Sequence, residues 1–195
     1  ALALAGCASF AAEPKAPAAN RSTNPPPVLA GITDLEFIDQ SIENASPLWY
    51  DVVDNVIRIH LIYDHERASP NRAAGHIHFR IHARPGTTLT LEFLNLDNVW
   101  NGQPGSVAGE LKTVAISDDG RTWKTVPTES LPGNRVQLHV QMRASQLYVA
   151  RIEPYRLSDL ERFLGSIRAS RVVQVTPIAK TVAGRELEIV SIGNP

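Results

Sequence analysis

The chain has 195 residues, 43% of them apolar and 20% charged, with a formal net charge of −1. That length allows one domain, or one domain with a piece of another, and the composition can bury a core, which excludes wholesale disorder. A near-neutral balance with scattered arginines supplies no field for nucleic acid or an anionic membrane surface.

The chain opens on an Ala-rich segment in which Leu4-Ala5-Gly6 precedes Cys7, the lone cysteine. This string resembles the bacterial lipobox, where small residues let a signal peptidase cut before a Cys that is then lipidated. With no Met and no basic stretch ahead of it, it reads as the tail of an export signal. Cys7 is therefore the expected lipid-attachment residue, with a lipid anchor as the sole membrane contact and a periplasmic or outer-membrane location. An ordinary secretory signal cut after Ala11, or a chance string, are the alternatives. Either export route leaves a fold without disulfides. Ala8 to Pro27 ends in three prolines and is too poor in bulky apolar residues to bury itself, so it reads as a linker. No apolar run reaches the roughly 20 residues that span a bilayer as a helix.

From Val28 to Ile152 the apolar period is two. Ile57, Ile59 and Leu61 alternate with Arg58 and His60; Ile77, Phe79 and Ile81 with His76, His78, Arg80 and His82; Leu89, Leu91 and Phe93 with Thr88, Thr90 and Glu92; Val136, Leu138 and Val140 with Gln137, His139 and Gln141. Each run is bounded by Pro, Gly, Asn or Asp. Several short strands between turn signals, with no helical period among them, predict an antiparallel β-sandwich. Asn95 to Ser106 is expected to be its longest irregular loop.

Three patterns in this region invite a functional reading. His76, His78 and His82 share a strand face, where two imidazoles two residues apart can hold a metal, but Arg80 lies between them and no Cys or acidic residue is recruited. The bland reading is a polar, solvated face. Asp118-Asp119-Gly120-Arg121-Thr122-Trp123 reads as a hairpin in which Asp-Gly tolerates positive φ and Trp123 packs back over the turn. It looks like the Asp-box hairpin of sialidases, but one copy is more simply a well-made turn. Trp49, Tyr50 and Trp100 could form a platform for sugar rings, although aromatics near strand ends are commonly core edges. Glu43, Asp51, Asp54 and Asp64 read as turn and surface residues. No Ser-His-Asp set, phosphate loop or carboxylate pair has a motif context, so no catalytic and no metal-binding residue is assigned.

The last segment changes period. Leu160, Phe163, Leu164 and Ile167 fall at i, i+3, i+4 and i+7, the apolar stripe of one helix running to about Ser170, with Asp159, Arg162 and Arg168 turned outward. Ser158 and Glu161 have the spacing of a capping box at its start. Val172, Val173, Val175 and Ile178 then form a β-branched run, and Ala183-Gly184-Arg185 turns it back into Glu186 to Ile192.

This order of pieces resembles the start of the catalytic domain of zinc metallocarboxypeptidases of carboxypeptidase A-like fold, above all the bacterial and cytosolic-type members that carry a β-sandwich ahead of it. The motifs are the Pro154-Tyr155 corner opening the helix, the turn at Thr181, Gly184 and Arg185, and the second strand ending at Ile192-Gly193. The resemblance implies a peptidase that removes carboxyl-terminal residues from peptides with a zinc-activated water. It also implies that the family's His-x-x-Glu zinc pair, distal His and catalytic Glu lie past Pro195, since none of His60, His65, His76, His78, His82 and His139 has a Glu three residues on. The expected organisation is mainly β: signal remnant and linker over 1–27, an antiparallel β-sandwich over 28–152, and over 153–195 one helix and a strand pair beginning an α/β peptidase domain. Zinc belongs to the complete enzyme and not to this chain. A self-contained envelope lipoprotein, its sandwich binding a glycan or a protein with the helix packed on it as a lid, is the alternative.

Overall fold

The computed structural model describes residues 34–63 and 71–193. The expectations for Cys7, the 1–27 segment, Asp64 and His65 lie outside them. In chain order the strands are β1 (Leu35–Asp39), β2 (Leu48–Val53), β3 (Val56–Leu61), β4 (Arg72–Ala73), β5 (His78–Ala83), β6 (Thr88–Leu94), β7 (Asp97–Trp100), β8 (Gln103–Ser106), β9 (Thr113–Ser117), β10 (Lys124–Pro127), β11 (Glu129–Leu131), β12 (Arg135–Gln141), β13 (Gln146–Ala150), β14 (Val173–Lys180) and β15 (Glu186–Ile192). Helix α1 (Leu157–Ile167) stands between β13 and β14.

Alternation decides what packs against what. One five-stranded sheet runs β1-β5-β13-β9-β10 and a second runs β11-β12-β6-β3-β2. Their inward residues, among them Ile57, Ile59, Phe79, Ile81, Leu91, Phe93, Val136, Leu138 and Val149, are sealed from solvent in one cluster. Phe79 from one sheet meets Phe93 from the other with ring centroids 6.4 Å apart. This is the expected sandwich, two sheets each hiding one face on the other. Among the described strands one pair departs from the antiparallel rule: β3 runs parallel to β6. The chain leaves β3, places β5 in the opposite sheet, and returns as β6, so a hairpin was never available to that pair. β2 and β3 do form a hairpin, with Asp54 and Asn55 both at positive φ, the conformation of its two-residue turn.

Two local expectations need correction. Asn95 to Ser106 is not an irregular loop, because β7 and β8 pair antiparallel across it and β4 joins them in a small third sheet. Its residues are mostly exposed, so no buried face imposes the alternation that would have betrayed strands. Helix α1 also ends at Ile167, short of Ser170. Among the described residues, no helix is long and apolar enough to cross a membrane.

Truncating Phe93 to Ala should cost about 3–5 kcal/mol of stability, the range for a sealed aromatic. Replacing the 60%-exposed Ile178 of β14 with Ser should change stability by no more than about 0.5 kcal/mol. Urea denaturation of the two variants beside the parent chain checks both values.

Candidate functional site

The junction between the sandwich and the carboxyl-terminal segment is built from charge. The helix starts at Leu157 with Arg156 as its N-cap, not at the predicted Ser158–Glu161 box. Asp159 accepts from the Arg156 backbone N–H at 3.0 Å and from the Arg156 and Arg162 guanidiniums at 2.8 Å each. Those donors, the Arg156 side chain first, hold the Asp159 carboxyl far below the usual carboxylate range. Ser158, inside the first turn, gives its N–H to Glu43 Oε1 at 3.0 Å. Glu43 thus satisfies an orphan donor of the helix from the β1–β2 connection, and Ser158's hydrogen bonds lower its pKa. Asp159, read from sequence as turned outward, is a half-buried hub.

The Asp-Gly hairpin abuts this start. Ser117 Oγ, the Arg121 and Thr122 N–H groups and Thr122 Oγ1 all donate to the Asp119 carboxylate, fixing the turn and pushing its pKa down, the two backbone donors most. Gly120 has φ +69°, and a Cβ there would sit 3.1 Å from the Tyr148 ring. Trp123 reaches the neighbouring strands, edge-on to Tyr148 with centroids 6.3 Å apart and tilted over His78 at 6.1 Å. On the same sheet face Arg80 pairs with Asp39, donates to Tyr148 Oη at 3.1 Å and lies over the Tyr148 ring. Hydrogen bonds from Ser41, then from Arg80, bring the Asp39 pKa to about 2.

The predicted polar face of His76, His78 and His82 is therefore not solvated throughout. His78 is only 1% exposed. His78 Nδ1 and His76 Nε2 both lie 3.0 Å from the Asn44 carbonyl oxygen, so each ring donates to one acceptor. His78 Nε2 is buried without a partner, and His82 stacks on Phe37 at 4.3 Å. Desolvation, the largest influence, lowers the His78 pKa. Among the described residues no group of three or more His, Cys, Asp or Glu is arranged to hold a metal ion. Zinc chemistry needs three protein ligands and an open position, and the residues described do not fit it. Trp49 stacks on His60 at 3.5 Å, whereas Tyr50 packs against the core and Trp100 sits 66% exposed on the β7–β8 hairpin. Because Tyr50 faces inward, the three do not form one platform.

Beyond α1 the chain stops burying side chains. Leu164 is sealed, but Phe163 is 52% exposed and Leu160 lies at the surface. The β14–β15 pair is a two-stranded sheet by itself. Leu187, Ile189, Val190 and Ile192 of β15 are all exposed. The turn follows the motif, with Gly184 at φ +78°, its N–H on the Thr181 carbonyl at 2.9 Å and the Arg185 N–H on Thr181 Oγ1 at 3.1 Å. A groove of about 460 Å³ separates helix from hairpin, walled by Leu157, Leu160, Leu164, Leu187 and Val190. Arg168 bridges to Glu188 at 2.6 Å.

No family model and no curated protein matches the chain by sequence. Solved structures do match its fold. A chain from Burkholderia mallei assigned as a carboxypeptidase superposes with a TM-score of 0.69 at 21% identity, over 86% of this chain and 41% of that one. A metallo-carboxypeptidase from Burkholderia cenocepacia gives 0.66 at 21% identity, over 82% and 40%. A metallo-carboxypeptidase from Pseudomonas aeruginosa, in complex with (2-guanidinoethylmercapto)succinic acid, gives 0.61 at 16% identity, over 80% and 40%. The chain thus has the fold of part of these bacterial proteins, spanning about two-fifths of their length.

His78 carries a pH prediction. A histidine whose folded pKa lies below its ordinary 6.5 binds fewer protons folded than unfolded. Stability should therefore be intact above the unfolded value and fall as pH drops below about 6.5. Denaturation midpoints measured from neutral pH down to about pH 5 should decline, and His78→Gln should flatten that decline whatever its own stability.

Proposed function

We propose that this chain is the sandwich and opening segment of a zinc metallocarboxypeptidase, an exported enzyme that removes carboxyl-terminal residues from peptides. The zinc ligands and catalytic carboxylate are supplied by a further part of the same polypeptide. The sandwich docks against that part and shapes the approach to its cleft. Export and anchorage through Cys7 belong to the same reading.

One observation carries it: a helix and a two-stranded sheet that leave Phe163, Ile178, Leu187, Ile189 and Ile192 about half exposed or more. An isolated strand pair is marginal in water, and a single helix and hairpin do not make two packed layers. Exposed Leu187, Ile189, Val190 and Ile192 on one strand call for a covering layer, as the interior of a larger sheet has. The fold neighbours, of which this chain spans about two-fifths, support the same reading. The alternative, α1 as a lid on the sandwich, is less well supported, because the hydrogen bonds that join them run from the helix's first turn to Glu43, while Leu160 and Phe163 stay at the surface.

The test is enzymatic. The longest product of the gene should release carboxyl-terminal residues from unblocked peptides, lose that activity with a chelator and regain it with zinc, whereas residues 34–193 alone should be inert. A full product that contains no His-x-x-Glu and leaves peptides intact would defeat the proposal.

A further inference from the structure

A cleft of about 390 Å³ lies between the Asp-Gly hairpin and the start of α1, and three arginines line it. Two are braced on one wall: Arg156 through Nε and Nη2, and Arg162 through Nη1, all to Asp159. The third, Arg121, stands on the opposite wall. Its guanidinium makes no hydrogen bond or ion pair to any described residue, yet the turn that projects it is fixed by the hydrogen bonds to Asp119. An unpaired cation on a rigid turn is a preorganised donor, because little ordering remains to be lost when an anion arrives. Arg156 Nη1 and the remaining Arg162 donors also make no hydrogen bond to any described residue.

The rest of the lining defines the ligand. Asp159 is saturated by its own arginines; Glu43 lies outside the lining, feels the charge of Arg156 and spends an oxygen on the Ser158 N–H. Glu153 lines the cleft and has no hydrogen bond or ion pair to any described residue. Three guanidiniums against Asp159 and Glu153 leave the lining with one positive charge in excess, which a monoanion neutralises and a phosphate dianion overshoots. The grip on Asp159 shows that Arg156 and Arg162 already present carboxylate-matching geometry. Trp123 and Pro154 add a flat apolar wall beside these donors.

We infer that this cleft binds a carboxylate carried on a flat or apolar stem, the chemistry of a peptide's carboxyl-terminal residue, with Arg121 as its principal unspent donor. The inference concerns these residues alone and stands whether or not a zinc peptidase domain follows them.

The experiment titrates N-acetylphenylalanine, its amide and acetate into the longest product of the gene and into this 195-residue chain, by calorimetry at low and high salt. N-acetylphenylalanine should bind with a dissociation constant of about 1 mM or tighter, weakening with salt, and the amide should not bind. Arg121→Gln should weaken binding by about tenfold, with Arg121→Lys partly restoring it and both variants melting like the parent. Equal binding of acid and amide, or unchanged affinity in Arg121→Gln, would overturn the assignment of a carboxylate to Arg121. Acetate binding as tightly as N-acetylphenylalanine would overturn the role of the Trp123 wall. Binding by the 195-residue chain but not by the longer product would overturn the site as well, because the cleft would then be an internal contact.

Discussion

A two-stranded sheet has two faces, and β14–β15 leaves apolar side chains on them largely open to water. Strand pairing satisfies the backbone groups that face across the pair, and the Thr181–Arg185 turn fixes its register, but neither removes Leu187 or Ile192 from water. The sandwich shows the contrast within the same chain. There, strands of similar length hide every second residue on a facing sheet, and Phe79, Phe93 and their neighbours are sealed. At roughly 25 cal/mol per Å² of apolar surface, what the sandwich gains is what the hairpin forgoes. That asymmetry organises the molecule into one finished layer pair and one unfinished surface.

The join between them is electrostatic and local. The sandwich lends Glu43 to the first turn of α1, the helix supplies Asp159 to its own N-cap, and Arg156 and Arg162 lock the corner. Beside it, Trp123 lies over His78 and meets Tyr148, and His78 is sealed on a sheet face where Arg80, His82 and Tyr148 stay partly exposed. A junction of this kind fixes an angle without burying much area. It holds α1 in position while leaving Leu160, Phe163 and the hairpin uncovered.

The sequence made these features legible to unequal degrees, for physical reasons. Strands buried on one face, such as β3, β6 and β12, print their alternation directly, and the Gly184 and Gly120 turns announce themselves through positive φ. The parallel β3–β6 pairing did not show, because a partner chosen across a crossover leaves no local mark. β7 and β8 did not show because their exposed faces impose no period. The Ser158–Glu161 pattern matched a capping box, but Asp159 reaches the Arg156 N–H under two guanidiniums, while the donor at Ser158 is met by Glu43, 115 residues away. Arg121 was passed over as part of a turn; what singles it out is the opposite wall, which exists only in three dimensions.

Hydrogen exchange measured residue by residue weighs the central asymmetry most directly. In the 195-residue chain the β14 and β15 amides should exchange far faster than those of β3, β6 and β12, and in the longest product of the gene they should become as protected as the sandwich. Protection of β14 and β15 equal to that of β6 in the 195-residue chain itself would contradict the account, since the hairpin would then need no covering layer.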